Sequence, residues 1–148
     1  MSASPRSSSG HSSTSFNTMP SPAVGHVINV KLTQENYLLW AAQMLPYLHS
    51  QGLIGFVDGS TLAPSQIIVV EPSEETGGRR IIVNPEYTAW YPQDQLVLSI
   101  VNSSLTEDVL ATTVGAATAR DAWITLERTF ASTSRARAMQ IHMELATI

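Results

Sequence analysis

Leu32-Thr33-Gln34-Glu35-Asn36-Tyr37-Leu38-Leu39-Trp40-Ala41-Ala42-Gln43-Met44-Leu45-Pro46-Tyr47-Leu48-His49-Ser50 is the stretch on which the fold turns. Tyr37, Trp40, Ala41, Met44, Leu45 and Leu48 recur at spacings of three and four, which puts them on one face of a helix. Thr33 is a natural N-cap for it, and Gly52 marks its end. Pro46 falls inside the period, removes a backbone donor, and is expected to bend the helix or split it into two turns.

Upstream, His26-Val27-Ile28-Asn29-Val30-Lys31-Leu32 alternates and predicts an extended lead-in. Residues 1–25 are rich in Ser, Pro, Thr and Gly without an apolar period. Such a segment cannot offset its ordering entropy by burial, so it is expected to be a disordered leader to one domain over 26–148. Downstream, Phe56-Val57-Asp58-Gly59-Ser60 reads as a turn. The β-branched runs Ile67-Ile68-Val69-Val70 and Ile81-Ile82-Val83, placed around Gly77-Gly78, read as a short, mobile hairpin.

Asn84-Pro85-Glu86 supplies an N-cap followed by proline at the first helical position, opening a helix to about Ser103. Tyr87, Trp90, Tyr91, Leu98 and Val101 form its stripe, and Pro92 is expected to delay its firm start to Gln93. Thr106-Glu107-Asp108 opens a short helix. Thr118-Ala119-Arg120-Asp121 resembles a capping box before another, lined by Ala119, Ala122, Trp123, Leu126 and Phe130. Ser132 or Ser134 is expected to cap a separate last helix carrying Ala138, Ile141 and Leu145, which reaches Ile148 without a stop signal, as in a chain cut short at its C-terminus. The expected fold is all-α, a small bundle of about five helices with a short β-hairpin insertion.

Composition restricts function. The chain has 148 residues, 43% of them hydrophobic, as in a globular domain, and a net charge of −4 that gives no general attraction to phosphate backbones. With no cysteine there are neither disulfides nor thiolate metal sites, and no apolar run approaches the length of a bilayer span. The expected compartment is the cytoplasm, with the nucleus as the alternative.

Leu32-Thr33-Gln34-Glu35-Asn36-Tyr37-Leu38-Leu39-Trp40, Phe56-Val57-Asp58-Gly59 and Asn84-Pro85-Glu86-Tyr87-Thr88-Ala89-Trp90 resemble the N-terminal Gag region of plant copia-type LTR retrotransposons. Gln93-Asp94-Gln95-Leu96-Val97-Leu98-Ser99, Ser103-Ser104-Leu105, Ala119-Arg120-Asp121-Ala122-Trp123 and Phe130-Ala131-Ser132-Thr133-Ser134-Arg135-Ala136-Arg137 are similar to that family's successive helices in order and spacing. The resemblance covers about residues 30–148. It implies a structural role for a transposable-element protein or a fragment derived from one: Gag copies assemble around element RNA through a helical, capsid-like domain. The zinc knuckle that often follows in the family is not among these residues, and Pro92 stands where the family carries a helix-compatible residue.

The motif residues expected to carry the fold are Asn36, Tyr37, Trp40, Asp58, Gly59, Asn84, Pro85, Tyr87, Trp90, Trp123 and Phe130. The three tryptophans lie on apolar stripes, which favours core packing over interface hot spots. His11, His26, His49 and His142 lack the short repeated spacing of a zinc site. Asp58, Asp94, Asp108 and Asp121 sit where carboxylates satisfy turns and caps, and no acid pair is placed for proton transfer. Gly77-Gly78-Arg79-Arg80 lacks the lysine and following helix of a phosphate loop. Arg128 and Arg135 border the expected helix junction and, with Arg137, could meet RNA phosphate or a partner's carboxylates, although a solvated face is the simpler reading. Neither enzyme activity, cofactor, metal, membrane nor small-molecule substrate is expected. The expected partners are further copies of the chain, in a weak homo-oligomer, with RNA as the alternative.

Overall fold

The computed structural model describes residues 28–75 and 77–148. The expected leader, together with His26 and Val27, lies outside the described residues. The elements, in chain order, are α1 Tyr37–Ser50, α2 Gly55–Asp58, β1 Ile67–Val70, β2 Arg80–Val83, α3 Pro85–Ser103, α4 Glu107–Thr113 and α5 Ala119–Ala146. About 60% of the described residues are helical, and the small antiparallel sheet makes the fold mostly helical rather than all-α.

Helix α1 begins at Tyr37, later than a cap at Thr33 would place it, because the preceding residues are held in a turn. Asn36 Oδ1 accepts from the Thr33 amide at 2.8 Å, and its Nδ2 donates to the Lys31 carbonyl at 3.0 Å. Pro46 does not split the helix. Both Pro46 and Ala42, whose carbonyl loses its partner, face solvent, so water can satisfy the freed group. Pro92 is tolerated for the same reason: it and Thr88 are exposed, and α3 runs unbroken from Pro85 rather than starting at Gln93. Asn84 caps α3 as expected, its side chain accepting from the Glu86 amide at 3.0 Å.

The expected turn at Phe56–Asp58 is a single helical turn, α2, closed by Gly59 at φ 86°, a conformation that glycine adopts without Cβ strain. The hairpin pairs Ile67 with Val83 and Val70 with Arg80. It packs chiefly on itself and is tied at its base by Asn84, whose amide donates to the Gln66 carbonyl at 2.9 Å.

The largest departure is at the C-terminal end. No new helix starts at Ser132 or Ser134; α5 is one helix of 28 residues capped by Thr118, whose hydroxyl accepts from the Asp121 amide at 3.1 Å. Nothing between Thr129 and Ala146 is a glycine or proline, so nothing breaks the ladder. Ser134 still caps a helix, though a different one: its hydroxyl accepts from the Leu38 amide at 3.1 Å, one of the free donors of α1's first turn.

Helix α5 packs against α1, α2, α3 and α4, so it is the spine of the core. Trp40 and Trp123 stack at the centre with ring centroids 4.9 Å apart. The extended lead-in forms one parallel bridge, Leu32 to Leu105, rather than a strand. Leu32 donates to the Ser104 carbonyl at 2.8 Å and accepts from the Thr106 amide at 3.1 Å.

Candidate functional site

The motif residues include a core set and a second set at the α2–α5 contact and the hairpin base. Tyr37, Trp40, Trp123 and Phe130 are buried together. Trp40 Nε1 donates to the Ser104 hydroxyl at 2.9 Å, so the indole is satisfied inside the core. Burial pushes the Tyr37 phenol up to about 12, with the nearby Glu127 charge raising it further and Arg135 opposing.

In the second set, α2 is joined to α5. Arg120 donates to the Val57 carbonyl, and a Cβ on Gly59 would meet the Arg120 guanidinium, so the Asp58-Gly59 motif is a backbone seat for this arginine. Asp58 accepts from the Ser60 amide at 2.8 Å, and those bonds hold its pKa below the usual carboxylate value. Tyr87 is half-buried at the hairpin base, Trp90 is half-buried but packs against the core, 6.3 Å from Phe56, and Tyr91 is exposed. The buried stripe of α3 is instead Asp94, Val97, Ile100 and Val101.

Among the described residues Asp94 is the buried carboxylate. It is a cap supplied from the interior of another helix: Oδ1 accepts from the Ala119 amide at 3.2 Å, at the N-terminus of α5, and Oδ2 accepts from Gln95 at 3.1 Å. Burial raises its pKa against the lowering effect of those bonds. An acid whose folded pKa exceeds its unfolded value binds protons better when folded. Its contribution to stability therefore grows as pH falls from above the folded pKa towards the unfolded one. Asp94→Asn keeps the acceptor and removes the buried charge. It is expected to change stability at pH 7 by less than about 1 kcal/mol, against about 1–3 kcal/mol lost in Asp94→Ala, which orphans the Ala119 amide. It should also flatten the rise in stability on mild acidification. Urea melts at neutral and mildly acidic pH check both; equal losses for the two variants would show that the charge itself is required.

Arg128, Arg135 and Arg137 are all exposed on α5, but they do not border a helix junction, because α5 is continuous. Arg128 and Arg135, seven residues apart, share a stripe. Arg137 points elsewhere and is ion-paired with Glu35. Asp108 accepts from Thr106 Oγ1 at 2.7 Å and from Gln34 at 3.0 Å, which lowers its pKa, and Asp121 lies in the first turn of α5. Among the described residues no group of three His, Asp or Glu could hold a metal ion, and no helix is long and apolar enough to cross a membrane.

One feature escaped sequence reasoning. Beyond Ser134, α5 has no buried residue, so its last three turns project from the bundle with Ile141 and Leu145 exposed and Ala138 half-buried. Leu38 and Leu39 of α1, also exposed, complete an open groove of about 430 Å³ with Ala138 and Ile141. The period at Ala138, Ile141 and Leu145 was visible in the sequence. Its lack of a partner was not.

The fold and this surface define a small, mostly helical module whose hydrogen-bonded carboxylates hold turns and helix ends and whose open feature is an apolar ridge and groove. Its homologues are retrotransposon polyproteins. The chain is 34% identical over 115 residues to the retrovirus-related Pol polyprotein from transposon RE1 of Arabidopsis thaliana, and 33% identical over 111 residues to that from transposon RE2 of the same plant. These alignments cover 78% and 75% of this chain but 7% of each polyprotein, so the chain spans about 7% of the length of the curated relatives it matches. No protein-family model and no solved structure matches the chain.

Proposed function

We propose that this chain is a structural, Gag-like module of a copia-type retrotransposon, or of a fragment derived from one, and that it self-associates through its helical domain rather than catalysing a reaction. The observation that carries the reading is the projecting half of α5. A helix with large apolar residues left in water, beside two more on α1, is the kind of surface that association covers. The relation to retrotransposon polyproteins and the order of the Gag-like motifs support the same reading. The hydrogen-bonded roles of Asp58, Asp94 and Asp108 favour structure over catalysis.

RNA binding through Arg128, Arg135 and Arg137 is the competing reading, and the geometry weakens it. The three guanidinia do not share one face, one is engaged by Glu35, and the net charge of −4 opposes phosphate. The domain is expected to associate weakly with itself and to bind single-stranded RNA weakly, with a shallow salt slope, at about 150 mM salt. Titration of labelled RNA alongside mass measurement against concentration tests this. Sub-micromolar RNA binding by a strictly monomeric chain would reverse the ranking.

A further inference from the structure

Ala138, Ile141 and Leu145 follow one another at three- and four-residue intervals, the spacing of an apolar seam on a helix. The seam continues N-terminally to the buried Ser134, and there Leu38 and Leu39 rise beside it. Leu39 and Leu145 are 61% and 63% exposed and Ile141 48%, so among the described residues nothing covers this strip. Arg137 and Glu144, seven residues apart, flank the seam on the same side, one towards each end of the projecting segment.

We infer that two copies of the chain pair antiparallel along this seam, about a twofold axis near Met139 and Gln140; this rests on the self-association proposed above and assigns it a face. The register follows from the residues. Opposing Ala138 with Ile141 of the second copy, and the reverse, matches a small side chain to a large one in both central layers. The same register sets Leu145 opposite Ser134 of the second copy, where it lands on Leu38 and Leu39 and covers them. It also brings Arg137 opposite Glu144 of the second copy, twice by symmetry. A twofold interface must be self-complementary, and a basic residue at one end of the seam with an acidic one at the other, on the same flank, meets that condition only in the antiparallel arrangement. Arg137 can keep Glu35 while meeting Glu144, because a guanidinium has five donors. Glu144 Oε1 accepts from Gln140 at 3.1 Å, which leaves its second oxygen for the arginine. Covering the seam and the two leucines removes roughly 400 Å² of apolar surface per copy, about half the area per partner of a standard interface, which suits a weak contact.

Sedimentation equilibrium of the whole chain from about 10 µM to about 1 mM tests the inference, with helical circular dichroism confirming that each variant folds. Ile141→Asp is expected to raise the dimer Kd at least about tenfold. Glu144→Arg, which opposes like charges, is expected to raise it several-fold, and Arg137→Glu with Glu144→Arg to recover most of that loss. Met139→Ser with Met143→Ser, on the opposite side of α5, should leave the Kd unchanged. Association that persists in Ile141→Asp, disappears in the methionine variant, or is recovered no better by the double charge reversal than by Glu144→Arg alone overturns this face while leaving self-association standing. A wild-type chain that stays monomeric at about 1 mM overturns both, and assigns the seam to a different occupant, such as a segment of a longer polypeptide.

Discussion

Trp40→Ala is expected to cost about 3–5 kcal/mol, and Trp123→Ala a similar amount, because each ring is one half of the stack at the centre of the core. Trp40 is fully buried and Trp123 is 5% exposed, so neither site can relax by admitting solvent, and the cavity adds to the lost transfer free energy. Domains of this size have about 5–15 kcal/mol in total, which places either variant near the edge of folding. Urea denaturation followed by circular dichroism measures the loss. Changes below about 1 kcal/mol in both variants would mean that the rings are not packed as a pair and would return the tryptophans to the interface reading.

Leu32→Ala is expected to cost about 2–5 kcal/mol, although the residue belongs to no helix or strand. Its side chain is fully buried, and its amide and carbonyl are both committed, to Ser104 and Thr106. Ser104 also accepts from the Trp40 indole, so a single residue connects the lead-in, α1 and the end of α3. Leu32→Ala and Trp40→Ala should therefore couple, departing from additivity by about 0.5–3 kcal/mol. Additive losses in a double-mutant cycle would show that the two contacts are independent. The Leu32 and Thr106 amides should exchange hydrogen slowly, with the core helices rather than with the loops.

Legibility in the sequence varied with the range of the interaction involved. The cap at Asn84 with Pro85 behind it, the cap at Thr118, and the hairpin runs rest on residues adjacent in the chain, and each element formed as expected. The readings that failed depended on distant partners. Pro46 and Pro92 looked disruptive because the period says nothing about whether the orphaned carbonyl faces water. Ser134 looked like the start of a helix, because a capping serine is recognisable but the helix it caps, 96 residues away in sequence, is not. The arginine cluster looked like one site because a helix junction was expected between Arg128 and Arg135, whereas on a continuous helix those two share a stripe and Arg137 diverges from it.

By itself the sequence determined that these residues form helices with aromatic apolar stripes, a short β-branched hairpin, and a domain without cysteine chemistry, because propensity, capping and periodicity act over a few residues. Only the tertiary structure decided that Asp94 and Ser134 cap helices other than their own, and that the Ala138, Ile141 and Leu145 face stands in water. The physical reason is that a helix fixes which side chains share a face, whereas what that face meets depends on where every other element comes to rest.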